Sequence, residues 1–285
     1  MQWVWKHNIH LQKTFLEDME MINLLSLLLV AEKLDQFIEQ WIMVDLEPTV
    51  IQTLGVGGLY WRSTLWRALV SAELVLGGNS ADAALLRMFA IQNLKTRALE
   101  ASTDPLNGQF CRASAHPASI TLVSQLTSGK YDSRGRFSET SPPLYGRLQG
   151  FISSGYTKGA VIDWMACKLA LWHPTKPDAN PVLDALRRNH NDLPNALNIT
   201  SKRGRYSVYI QARRTAFLLR QRESFADADW VESLLPSLAP GFSESADGLV
   251  FRKYAHVSSQ ANPFNKLEPI VSAASLPRHN RNKPP

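Results

Sequence analysis

Apolar residues in this chain recur at spacings of three and four, and stretches that alternate polar with apolar are scarce. Spacing of that kind gives each helix one greasy side and gives strands nothing to work with, so the chain is expected to be all-α. Phe15, Met19, Ile22, Leu25, Leu28, Leu29, Leu34, Phe37, Ile38 and Trp41 outline a first long helix. Thr14 stands where a cap belongs, with Glu17 completing a capping box. Pro48 opens a short helix to Leu54, which Gly55, Gly57 and Gly58 should stop. Further helices are expected over Trp61–Leu76, ended by Gly77-Gly78, and from a Ser80 cap to Glu100. Ser119–Leu126 reads as a short helix, and Val161–Leu171 as one capped by Thr157 and stopped by Pro174. Pro181 opens a helix through Arg187-Arg188, Tyr206–Arg222 forms a basic helix, and Asp227 starts one that ends before Pro236.

A chain of 285 residues, 45% hydrophobic and 20% charged, can bury a full core. Such a chain can fold as one large domain or as two lobes, and the division expected here is two helical lobes around a basic cleft with an N-terminal helical arm. The expected divisions are an N-terminal oligomerisation arm over 1–20, an N-terminal lobe over 21–128 and a mobile interlobe loop over 129–146. A C-terminal lobe over 147–262 and a basic, disordered tail over 263–285 complete the division. The apolar run Leu24–Ala31 is too short to span a bilayer and is bracketed by Glu20, Asn23 and Glu32, so no membrane insertion is expected. Cys111 and Cys167 are the only cysteines, too few for a disulfide framework or a thiolate metal cluster.

Charge is the feature that speaks to function. The net charge is +6, and it is unevenly spread. Between residues 187 and 222 stand Arg187, Arg188, Lys202, Arg203, Arg205, Arg213, Arg214, Arg220 and Arg222, with Asp192 the only acid among them. The first sixty residues lean acidic. A block of this kind is the footprint of a polyanion, and arginine grips phosphate with two parallel hydrogen bonds. Arg67, Arg87, Lys95 and Arg97 form a smaller basic set that could face it across a cleft. The candidate phosphate contacts are therefore Arg67, Arg87, Lys95, Arg97, Arg187, Arg188, Arg203, Arg205, Arg213 and Arg214. Phe137, Tyr156, Tyr206 and Tyr209 could stack bases, although each alone is a common packing residue. A basic face that serves only solubility remains the alternative.

Nothing comparable points to catalysis. The seven histidines, at 7, 10, 116, 173, 190, 256 and 279, form no metal-binding spacing, and neither a serine elbow nor a phosphate loop occurs. No enzyme activity, metal or cofactor is expected. The rival would be a nuclease built on Asp163, Asp184 and Asp192. Near the N-terminus, Trp3, Trp5, Ile9, Leu11 and Phe15 form a dense apolar set that either folds back or docks on a neighbouring protomer.

Four segments carry a resemblance. Phe37-Ile38-Glu39-Gln40-Trp41 precedes the turn Val44-Asp45-Leu46, and Val50-Ile51-x-x-Leu54 precedes Gly57-Gly58-Leu59-Tyr60-Trp61. Ser119-Ile120-Thr121-Leu122 and Gln211-Ala212-Arg213-Arg214-x-x-Phe217-Leu218 follow in order. Together they resemble the nucleoproteins of segmented negative-strand RNA viruses of the phenuivirus and tenuivirus type, over about residues 37–220. Where that family carries Arg-Gly-Asn, this chain has Gly77-Gly78-Asn79. The resemblance implies a two-lobed helical protein that encapsidates single-stranded genomic RNA without sequence specificity. It implies a homo-oligomer, ring or filament, joined by an exchanged N-terminal arm. It also implies the viral polymerase as a partner, and a location in the virion and host cytoplasm. The alternative is a capsid or matrix subunit with a basic tail.

Overall fold

The computed structural model describes residues 18–43, 56–101, 114–130, 132–133, 135–154, 160–190 and 202–238. Within them lie ten helices and no strand. They are α1 (Met19–Ala31), α2 (Gln36–Met43), α3 (Val56–Leu76), α4 (Asp82–Ala101) and α5 (His116–Leu126), followed by α6 (Pro142–Ser153), α7 (Ala160–Leu171), α8 (Asn180–Asn189), α9 (Lys202–Gln221) and α10 (Phe225–Leu238). The all-α expectation is met. Several expectations fall outside the described residues: residues 1–17 of the arm with its apolar set, the Thr14–Glu17 capping box, the helix from Pro48, the Thr157 cap, Cys111 and the tail; Met19 and Glu20, placed in the arm, belong to α1.

The first long helix is two. Asp18 caps α1 by accepting a hydrogen bond from the Met21 amide at 3.0 Å. The helix then stops at Lys33, which sits in the left-handed region at φ 58°. The Lys33 amide donates to the Val30 carbonyl, and the Leu34 amide reaches back to Leu29 at 2.7 Å. That pair of bonds is a Schellman terminus. The same closure ends α9, where Glu223 has φ 61° and the Ser224 amide reaches Leu219. Gly77-Gly78 ends α3 as expected, with Gly78 at φ 64°, and the Ser80 hydroxyl caps α4 by accepting from the Asp82 amide. Gly57 and Gly58, expected to stop a helix, instead lie in the first turn of α3.

Two apolar clusters form the interior. In the first, α3 is central and packs against α1, α2, α4 and α5, burying Trp66, Leu69, Leu85, Met88 and Leu122. In the second, α9 packs against α7, α8 and α10 around Leu171, Trp172, Val182, Leu186, Val208 and Leu219. Helix α7 contributes to both, with Met165 and Leu169 in the first and Trp164 and Leu171 in the second. All the described helices fall within one structural unit.

Of the stretch 129–146, expected as a mobile loop, residues 142–146 open α6, and the chain before them is pinned at several points. Thr127, Phe137 and Thr140 are buried, the Ala81 amide donates to the Thr140 hydroxyl, and the Ser141 amide donates to Asp82. Gly135, at φ 88°, lets the backbone pass flat across the Trp172 ring.

Candidate nucleic-acid interface

The candidate cations divide by what surrounds them. Arg87, on α4, lies among three carboxylates: it pairs with Asp35, with Glu39 at 2.9 Å and with Glu73 at 3.3 Å. Three segments of chain meet at that guanidinium, namely α3, α4 and the Asp35–Glu39 turn that opens α2, so its charge is engaged within the fold. Burial raises the Glu73 pKa despite the opposing pull of Arg87. Lys95 is buried, 7% exposed. Arg67 is half-buried, with its guanidinium 3.6 Å from the Met19 sulfur. Arg97 is exposed.

In the basic block, Arg214 is 4% exposed. Its guanidinium lies 3.9 Å from the centre of the Trp172 ring and donates to the Leu171 and Ser133 carbonyls. The Trp172 indole donates to Gln211, whose amide donates to the Thr127 carbonyl. Arg214 thus fastens the 127–133 turn to α9, and desolvation lowers its pKa to about 10. Its neighbour Arg213 is only half-buried, donating to the Tyr209 hydroxyl at 3.1 Å. Tyr206 stacks on Tyr209, their centroids 6.3 Å apart.

Carboxylates from outside the block neutralise much of the rest. Arg187 pairs with Asp227 and lies 5.6 Å from the Trp230 ring centre. Arg220 pairs with Asp229 at 2.7 Å and Glu232 at 2.8 Å, and Arg222 with Asp178 at 3.1 Å. Arg188 and Arg205 are different. Both are exposed, and neither forms an ion pair with a carboxylate among the described residues. Arg188 keeps one hydrogen bond, to the Asp184 carbonyl of its own helix at 3.3 Å. Arg203 lies on α9, but its side chain is outside the described residues, as are Trp3, Trp5, Ile9, Leu11 and Phe15.

The two basic sets sit on different helix groups, since α4 packs with α3, α5 and α6 while α9 packs with α7, α8 and α10. Besides the paired Arg220 and Arg222, two exposed arginines among the described residues were not candidates: Arg136, over Phe137 at 5.3 Å, and Arg147, over Phe89 at 4.0 Å. Arg147 lies on α6, a helix hidden by its glycines. A third missed group is Lys168 on α7, whose pKa desolvation brings down to about 8. No spacing rule identifies a lysine of that kind.

For the nuclease rival, Asp163 and Asp184 are exposed on α7 and α8, and Asp192 lies outside the described residues. Among the described residues no three His, Cys, Asp or Glu side chains are grouped to hold a metal ion. Nor is any described helix long and apolar enough to cross a membrane. Comparison with family models, curated proteins and solved structures finds no match to this chain.

Proposed function

We propose that this protein is a nucleoprotein that binds single-stranded RNA through its phosphates, without sequence preference, and assembles into homo-oligomers through residues 1–20. The observation that carries the reading is the pair Arg188 and Arg205. They stand exposed, with no carboxylate partner among the described residues, in a stretch where nine cations accompany one acid. Arg97, Arg147 and the half-buried Arg213 extend the set of cations that a backbone could touch. Tyr206 follows Arg205 on α9, and Trp230 offers a second aromatic surface, 5.6 Å from Arg187 and 6.4 Å from His190. Cations interleaved with aromatics suit single strands, because every base has a face to stack and every nucleotide a charge to neutralise.

Arg87, half-buried and paired with three carboxylates, and the buried Arg214 are left out of the proposed contact set. The reading is tested by titrating labelled RNAs of unrelated sequence into the purified protein over a range of salt. Similar affinities for all sequences, with a steep fall as salt rises, are expected. Flat salt dependence, or no binding at low salt, would overturn it.

A further inference from the structure

The connection between α5 and α6 is built on one buried side chain, Trp172, which follows α7. The backbone at Gly129 and Gly135 lies directly against its ring. A Cβ at Gly129 would stand 2.9 Å from that ring and one at Gly135 3.1 Å, so only glycine permits the approach. Hydrogen bonds from α9 hold the same stretch: Gln211 donates to the Thr127 carbonyl at 3.3 Å, and Arg214 donates to the Ser133 carbonyl. Within the turn, the Ser133 amide and hydroxyl both donate to the Lys130 carbonyl, at 3.0 Å and 2.8 Å. Connecting segments are ordinarily the freer parts of a fold, and those fixed to a scaffold are where binding residues concentrate.

This framework holds out positive charge. Lys130 and Arg136 are both exposed, and neither forms an ion pair with a carboxylate among the described residues. The acids nearby are engaged elsewhere: Asp132 has the Arg214 charge as a neighbour, and Glu139 accepts from the Asn79 amide at 3.4 Å. Because Gln211 and Arg214 belong to α9, the turn lies against the helix that carries Arg205 and Arg213. We propose that Lys130 and Arg136 form a second phosphate-binding element of the RNA interface, presented by the turn docked on Trp172 and α9. The inference rests on the single-stranded RNA reading above and adds cations drawn from outside the basic block. Their chemistry suits the phosphodiester backbone, which carries no sequence information. Lys130 supplies a compact point charge, while Arg136, laid over Phe137 at 5.3 Å, has its guanidinium oriented in advance. A cation on a fixed backbone gives up less freedom on binding than one on a loose loop, which is what the glycines and the Arg214 contact secure.

The test uses the full-length protein, a labelled single-stranded RNA and two readouts. The double variant Lys130→Gln with Arg136→Gln should reduce the slope of log affinity against log salt by about 1.4, roughly 0.7 for each phosphate contact removed. Its urea midpoint should match the wild type, because both side chains are exposed. In the wild-type protein, acetylation of lysines is followed by mass spectrometry with and without RNA. At RNA about ten times above its dissociation constant, labelling of Lys130 should slow about tenfold. Lys33, exposed just past α1, should be labelled at the same rate in both samples. A wild-type protein that binds RNA, with an unchanged slope in the variant and Lys130 labelling indifferent to RNA, would overturn the turn as a contact and leave the nucleoprotein reading standing. A slope that falls while Lys130 labelling stays indifferent would report net charge alone and would overturn it too. A wild-type protein that binds no RNA would overturn both.

Discussion

Arg213 and Arg214 stand side by side on α9, yet their guanidiniums meet different surroundings. Adjacent residues on a helix point about 100° apart. One therefore reaches toward the surface beside Tyr209, while the other passes under Trp172 to the Ser133 carbonyl. The sequence shows a basic doublet but not which member points inward, because Trp172 and Ser133 are brought there by segments far off in the chain. Arg214→Ala should lower stability by about 2–3 kcal/mol, since it strands buried carbonyls that lose a charged donor. Arg213→Ala should cost less than about 1 kcal/mol. Urea unfolding of the two variants checks the contrast, and equal losses would contradict it. His173 makes a second residue-level case. Its Nδ1 accepts from the Lys176 amide at 3.1 Å and the Thr175 amide at 3.3 Å, and burial with nearby Lys176 lowers its pKa. A lowered value in the folded state means that the unfolded chain takes up the proton first. The stability His173 contributes is thus complete above pH of about 6.5 and is lost as pH falls through the lowered folded value. His173→Asn should flatten the fall in stability between pH 7 and 5 relative to the wild type, as read from urea midpoints. Identical pH profiles would contradict the assignment.

The helices themselves were largely legible, and the exceptions have local causes. Sequence rules look for glycine or asparagine where a helix closes, but α1 and α9 close at Lys33 and Glu223, so the break between α1 and α2 left no mark. Pro236 was read as a stop, yet it lies in the last turn of α10, which continues to Leu238. Helix α6 was missed because Pro142, Pro143, Gly146 and Gly150 resemble a loop. The prolines occupy the first turn, where no amide is needed, while Tyr145, Leu148 and Ile152 fall on one buried face. The two glycines face open space, with no atom within 4 Å of where a Cβ would stand. Replacing either with alanine should therefore stabilise the protein by about 0.5–1 kcal/mol, and both together by the sum. Thermal or urea unfolding of Gly146→Ala and Gly150→Ala checks this. Loss of stability would mean that the outer face of α6 is covered.

Across the whole molecule, the charge pattern that dominates the sequence is partly cancelled by the fold. Asp178, Asp227, Asp229 and Glu232 neutralise Arg222, Arg187 and Arg220, and Asp35, Glu39 and Glu73 surround Arg87. Local sequence made the block between Arg187 and Arg222 look almost free of acid, because its partners come from the loop before α8 and from α10. The basic region was legible; the subset of cations left facing solvent was not. Carboxylate pairing, and for Arg214 burial, now separates the arginines engaged within the fold from Arg188 and Arg205, which have no carboxylate partner among the described residues. The central claim is that Arg188 and Arg205 contact RNA while the paired arginines do not. Two double variants test it: Arg188→Gln with Arg205→Gln, and Arg220→Gln with Arg222→Gln. Each removes two positive charges from a chain of net charge +6. The measurement is the slope of log affinity against log salt for single-stranded RNA, with folding checked by circular dichroism. The first pair should reduce the slope by about 1.4, two phosphate contacts at roughly 0.7 each, and the second should leave it near the wild-type value. Equal effects from both pairs would mean that only net charge matters, and no effect from the first would remove Arg188 and Arg205 from the interface.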